Sequence, residues 1–277
     1  MDLAVAARLI QYGAVAVVGG SSLALAREPS TPWPRGATLA AALVGLAGVA
    51  VWLVSETLGI TGDPGDVWSM TLDTSFGRAA LVRMLLLTAA ALAALPRRPS
   101  WPLLAGLGGA AAASFAWTGH GADGVIHLGA DILHLLAAMI WLGALPVLAL
   151  QGLDRREPAR ASRALHSFSA IGPALVGLIV LSGLINTWIL VGPAGLLHLT
   201  DSLYGGLLLA KLGLFATMLA LAAANRWRLT PALDRAVALG APPPRALIAA
   251  LVLETLLGLA VLGLVAWMGT LPPPAHP

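Results

Sequence analysis

Three histidines stand within fifteen residues of one another, at His120, His127 and His134, with Asp123 and Asp131 among them. At about 100° per residue, helical spacing places His127, Asp131 and His134 on one face. Imidazole nitrogens and carboxylate oxygens together suit a first-row transition metal. The run continues straight into apolar sequence, where ionisable side chains are costly and mark sites of function. The chain has no cysteine, which excludes disulfides, thiolate metal ligands and cysteine nucleophiles. A metal held here is held by His, Asp, Glu, Met or main chain.

Each candidate also has a structural reading. His134, the deepest of the three, either binds an ion or hydrogen-bonds a neighbouring helix. Asp131 is either a ligand or the carboxylate that fixes the tautomer of a ligating histidine. Gly119, Gly121 and Gly124 loosen the backbone around His120, which either folds over the helix end to complete a site or stays in water. Asp123, and His198 from another loop, are candidates to complete or support the site. His166 and His276 read as solvated. Met139 follows His134 by five residues but lies about 120° off its face. Met84, Met218 and Met268 lie in apolar runs, and methionine in a helix packs more often than it ligates. Met70 belongs to or near the second loop, and no methionine cluster with ligand spacing occurs.

The elements that carry these residues follow from composition. Hydrophobic residues make up 58% of the chain and charged residues 10%, against about 25% charged in soluble domains. That composition defines an all-α polytopic membrane protein, and the 31 glycines suit close helix packing in lipid. The net charge of +3 reflects scarce acidic residues and points to no nucleic acid. A span needs roughly 20 apolar residues. Eight are expected, at 3–26, 36–58, 76–95, 101–118, 126–150, 167–191, 203–224 and 246–270, within one membrane domain covering 1–277. Ala24-Leu25-Ala26 resembles a signal-peptide cleavage site. The Met-Asp start lacks a basic region, however, so the first span is expected to be retained.

Basic residues set the orientation. Arg27 and Arg35 fall in the first loop, and Arg97 and Arg98 in the third. Arg155, Arg156, Arg160 and Arg163 fall in the fifth, and Arg226, Arg228, Arg235 and Arg245 in the seventh. The even loops and both tails carry none. The odd loops are therefore expected in the cytoplasm and both termini outside. His120, His127, Asp131 and His134 then lie at the outer mouth, beside an acidic second loop with Asp63, Asp66 and Asp73. Arg8, Arg78, Arg83 and Lys211 fall inside spans, in their outer halves, and Glu56 lies near the outer end of the second. Lys211 and Glu254 form a second pair of intramembrane charges. Their depths differ by roughly 12 Å, so direct pairing needs a shift in register or an intermediary. Asn186 is a further buried polar candidate. These three are either structural or polar steps of a translocation path.

The run from Gly119 to Leu145, with His127, Asp131, His134, Trp141, Gly143 and Leu145 in the pattern H-x-x-A-D-x-x-H-L-x-A-x-x-x-W-x-G-x-L, resembles the signature of the CopD family of bacterial inner-membrane copper resistance proteins. SFS at 167–169, SGLINTW at 182–188, YGGLLLAKL at 204–212, NRWRLTP at 225–231 and LETLLG at 253–258 agree in order. The resemblance covers residues 75–270. It implies a multi-span inner-membrane protein that moves copper, as Cu(I) or Cu(II), with uptake the favoured direction. It also implies a periplasmic copper-binding partner of the CopC type. Copper would be taken at His120, His127 and His134, with Asp131 as ligand or support, and passed along Asn186, Lys211 and Glu254. A lysine on that path repels the ion unless its charge is neutralised.

Three other readings stand beside this one. A membrane b-type haem protein needs two opposed axial ligands. His127 and His134, about 10 Å apart along one helix, cannot supply both, so His198 or another partner would be required. A zinc hydrolase needs a metal-activated water, but the chain has no HExxH motif and no separate base. A metal-free bundle would use the polar groups structurally. Metal identity separates the first three: copper, iron with a Soret band, or zinc. On the first reading the protein is not an enzyme.

Overall fold

In lipid, a long apolar segment satisfies its backbone only as a helix or a closed barrel, and here every regular element among the described residues is a helix. A computed structural model describes residues 3–34, 36–118, 124–154, 156–197 and 199–272. Helix α1 (Leu3–Val15) passes through a π turn (Ala16–Ser21) into α2 (Ser22–Arg27). There follow α3 (Ala37–Thr61), the short α4 (Val67–Asp73), α5 (Ser75–Ala94) and α6 (Trp101–Ala113). The second half holds α7 (Val125–Leu153), α8 (Pro158–Leu197), α9 (Leu203–Ala224), α10 (Thr230–Ala238) and α11 (Arg245–Met268). No strand occurs among the described residues.

Among the described residues, seven stretches are long and apolar enough to cross a membrane: Leu3–Arg27, Ala37–Thr61, Ser75–Ala94, Val125–Leu153, Pro158–Pro193, Leu203–Ala238 and Arg245–Met268. They correspond to seven of the eight expected spans. The remaining one, at 101–118, is the 13-residue α6 followed by a 3₁₀ turn over Ser114–Thr118. Thirteen α-helical residues rise about 20 Å and five 3₁₀ residues about 10 Å more. Two helices outrun the apolar sequence that predicted them. Helix α8 begins at Pro158, and α9 continues through a π turn (Asn225–Leu229) into the amphipathic α10. Gly192, at φ +68°, interrupts α8 near its far end.

The first π turn is where the two halves meet. Cβ atoms added at Gly108 and Gly143 would fall 2.3 Å from Gly19 Cα and 2.5 Å from Gly20 Cα. Glycine at these positions therefore lets α6 and α7 close onto the turn, backbone against backbone. Ser21 Oγ seals the contact by donating to the Gly143 carbonyl at 2.6 Å. Helix α1 also packs on α11, and α7 packs on both α8 and α11.

The first half contains its own polar network. Arg83, 1% exposed, donates through Nε to Ser114 Oγ at 3.0 Å and through Nη1 to Gln11 Oε1 at 2.8 Å. Its Cζ lies 3.6 Å from the Phe115 ring centroid. Arg8 pairs with Glu56 at 2.9 Å, and Glu56 also accepts from Trp52 Nε1 at 2.8 Å. Arg8 and Arg83 are thus held by hydrogen bonds and aromatic faces, which offset the cost of a charge in a low-dielectric setting.

Candidate functional site

Helix α7 carries the candidate residues. Its first turns bring Asp131 and His134 against α8, with His127 one turn earlier and within electrostatic reach of Asp131. Ser182 and Asn186 meet Asp131 and His134 there, one turn apart on α8 and so on one face. His134 Nδ1 lies 3.1 Å from Ser182 Oγ and 3.2 Å from the Ile179 carbonyl. The Ser182 hydroxyl itself donates to the Leu178 carbonyl, so its oxygen is left to accept. Both neighbours of Nδ1 are therefore acceptors, which places the proton on Nδ1 and leaves the Nε2 lone pair free. One turn earlier, Asn186 Nδ2 donates to Asp131 Oδ1 at 3.2 Å. Asn186 Oδ1 is buried and has no partner. His127 is 5% exposed, and its ring is taken up by no hydrogen bond among the described residues.

Lys211 of α9 lies within electrostatic reach of Asp131 and His134. The same region thus gathers two imidazoles, a carboxyl, an amide, a hydroxyl and a lysine amine. Among the described residues, no three His, Asp or Glu side chains converge closely enough to hold an ion by themselves. His120, Asp123 and His198, the other candidates for this site, lie outside the described residues, as does His276.

Glu254 belongs to a different centre. It is 2% exposed and accepts from Trp141 Nε1 at 2.9 Å and from Asn225 Nδ2 at 3.1 Å. Lys211 and Glu254 therefore serve separate groups, as their unequal depths in sequence suggest. The apolar cluster of Ala137, Leu175, Ile179 and Met218 lies around Trp141, with Phe215 beside it. Met139 is buried against Gly19 and Gly20 and, like Met218, packs. His166 is exposed, but its Nε2 lies 3.0 Å from Asp234 Oδ2.

Sequence reasoning missed Ser182, Trp141 as a donor, and Asn225. A signal for Ser182 was present, because Ser182 and Asn186, four residues apart, share one helix face, as Asp131 and His134, three apart, do. Asn225 gave no such signal, since it stands where an apolar run ends and reads as a loop residue.

Helices of this length and composition, with ionisable groups turned inward, define a multi-pass membrane protein with an intramembrane polar site. Two family descriptions match in sequence: Copper resistance protein D over residues 162–268, and Copper resistance protein D-like, N-terminal domain, over residues 1–130. The chain belongs to the copper resistance protein D (CopD) family. It is 42% identical over 220 residues to Copper resistance protein D of Pseudomonas syringae pv. tomato, covering 74% of this chain and 71% of that protein. It is 31% identical over 180 residues to Inner membrane protein YebZ of Escherichia coli (strain K12), covering 60% and 59%. It is 36% identical over 114 residues to Copper transport protein CutJ of Bacillus subtilis (strain 168), covering 39% of this chain and 21% of that protein. No solved structure matches the chain.

Proposed function

We propose that this protein carries copper across the bacterial inner membrane, inward, and captures the ion at the outer mouth of the bundle. His127 and His134 supply imidazole nitrogens, and a further donor comes from His120 or His198. Asp131 acts as support more than as ligand. A cationic Lys211 beside it offsets its charge, so an arriving copper ion meets imidazoles rather than a bare carboxylate. That arrangement also removes the difficulty of a lysine near a cation site, because its charge is already answered. Asn186 and Lys211 then belong to the mouth.

The observation that carries the reading is the hydrogen bonding of His134. Its Nδ1 is engaged by Ser182 and Ile179 of α8, which directs Nε2 to a ligand. Two relatives carry copper in their names, and one of them is named a transport protein. In this reading the chain forms a single bundle of eight spans with both termini in the periplasm. Helix α6 and its 3₁₀ turn together rise about 30 Å, the thickness of a hydrocarbon core. A mouth on the periplasmic side fits delivery by a soluble copper-binding protein of the CopC type.

The test is metal analysis with an absorption spectrum on detergent-purified protein, wild type beside His127→Ala/His134→Ala. Near-stoichiometric copper in the wild type and its loss in the variant are expected, followed by copper accumulation in vesicles bearing the wild type alone. Stoichiometric copper of unchanged affinity in the variant would sink the site. A Soret band with iron would replace copper with haem.

A further inference from the structure

Helix α8 packs along α7, and α9 packs along α11, yet among the described residues the backbones of α8 and α9 hardly approach each other. A cavity of about 480 Å³ fills the gap. Its floor is Trp141 and Leu145 of α7 with Glu254 of α11, and its walls are Phe168 and Val176 of α8 with Leu219 of α9. Pro173 of α8 lines it and is exposed on the open side. At the end marked by the basic seventh loop, Arg226 donates to the Ser169 carbonyl and α10 packs on α8. That end is bridged, so the access left is sideways, between α8 and α9.

The polar end of the cavity is built and incompletely satisfied. The π turn Asn225–Leu229 returns the Thr230 N–H to the Asn225 carbonyl, which stacks the Asn225 and Thr230 side chains on one face. A π turn of this kind recurs at functional sites. Asn225 is 6% exposed and Thr230 2%. Asn225 Oδ1 and Thr230 Oγ1 are both buried without a partner, and both residues line the cavity. Asn225 Nδ2 is already spent on Glu254 Oε2, and Trp141 Nε1 on Glu254 Oε1. The unmet capacity is therefore mainly that of acceptors, an amide oxygen and the remaining lone pairs of a carboxylate, beside a hydroxyl that can donate or accept. Buried acceptors without donors are costly, so an occupant that donates hydrogen bonds is favoured.

The surroundings narrow its class. The cavity is within the range of small-molecule sites, roughly 300–1,000 Å³, and far larger than a bare cation needs. Access through lipid favours a neutral molecule with an apolar body, and Trp141 and Phe168 offer ring faces. Arg226 also lines the cavity, at its bridged end, where it donates to the Ser169 carbonyl. We propose that this cavity binds a neutral, bilayer-dissolved aromatic alcohol of the phenol or quinol class, whose hydroxyl donates to Asn225 Oδ1, an amide held in place by Glu254, while its body lies between α8 and α9.

The test is photolabelling of the full-length protein in nanodiscs with a diazirine-bearing 4-alkylphenol. Competition by 4-nonylphenol is compared with competition by its methyl ether, which keeps the shape and loses the donor. Label is expected within residues 172–176 and 219–223. Displacement by the phenol should need roughly tenfold less competitor than displacement by the ether, the scale of one lost hydrogen bond. Leu219→Trp fills the cavity and should abolish specific labelling, and Glu254→Ala should weaken it by a similar factor. Should Glu254→Ala fail to fold, the phenol and ether comparison on the wild type still decides. Equal competition by the ether, labelling that does not saturate, or labelling unchanged in a folded Leu219→Trp would overturn the proposal. So would stronger displacement by dodecylammonium, which would mean a charged occupant.

Discussion

Ser182→Ala isolates the support of the proposed copper-binding imidazole from the imidazole itself. In the wild type, His134 Nδ1 has two acceptors, Ser182 Oγ at 3.1 Å and the Ile179 carbonyl at 3.2 Å. The substitution removes one and leaves the other, so the Nδ1–H tautomer is still favoured but less firmly. Loss of such an outer partner costs about 10- to 100-fold in metal affinity. With Ile179 remaining, the lower end is expected, about tenfold, or about 1.4 kcal/mol. Stability should barely respond. The Ser182 hydroxyl bonds back to the Leu178 carbonyl within its own helix, and such back-bonding adds little or slightly destabilises. The assay is titration of the purified protein against a chromophoric Cu(I) chelator at fixed pH, paired with a thermal midpoint. His134→Ala sets the scale for complete loss. Affinity within about twofold of wild type for Ser182→Ala, with His134→Ala strongly impaired, would refute the argument that α8 orients the ligand.

Three further outcomes follow from the fold. Gly108→Ala places a Cβ 2.3 Å from Gly19 Cα and should cost about 3 kcal/mol or more. Gly106→Ala, with nothing within 4 Å, should be tolerated; size-exclusion profile and thermal midpoint separate them. Arg83→Met should retain more stability than Arg83→Ala, by roughly 2 kcal/mol. Met keeps much of the packing against Phe115 and sheds the cost of a buried charge, while Ala leaves a cavity; denaturant or thermal midpoints in one detergent measure the difference. The absence of cysteine makes single-cysteine labelling clean. Gly65→Cys, Gly124→Cys and Thr200→Cys should react with an impermeant maleimide from the periplasm, and Arg97→Cys and Ala241→Cys only after permeabilisation. Protection of Gly124→Cys from outside would mean that α6 does not cross.

Membrane character, the helical fold class and seven of the spans were legible in the sequence, because hydrocarbon imposes a length and composition that no tertiary context overrides. The shared face of His127, Asp131 and His134 was legible too, since helical periodicity is local. Cross-helix partners were not, because they depend on which helices become neighbours and at what register. That Lys211 comes within electrostatic reach of Asp131, and that Glu254 turns instead to Trp141 and Asn225, is decided by the packing of α9 on α11 and of α11 on α7. The π turn at Asn225 gives no signature in hydropathy, and neither does the gap between α8 and α9. A chain dictates the period and polarity of each helix by itself, but the meeting of two helices is a property of both surfaces together. Only their assembly decides which polar groups are paired, and which are left waiting for a ligand.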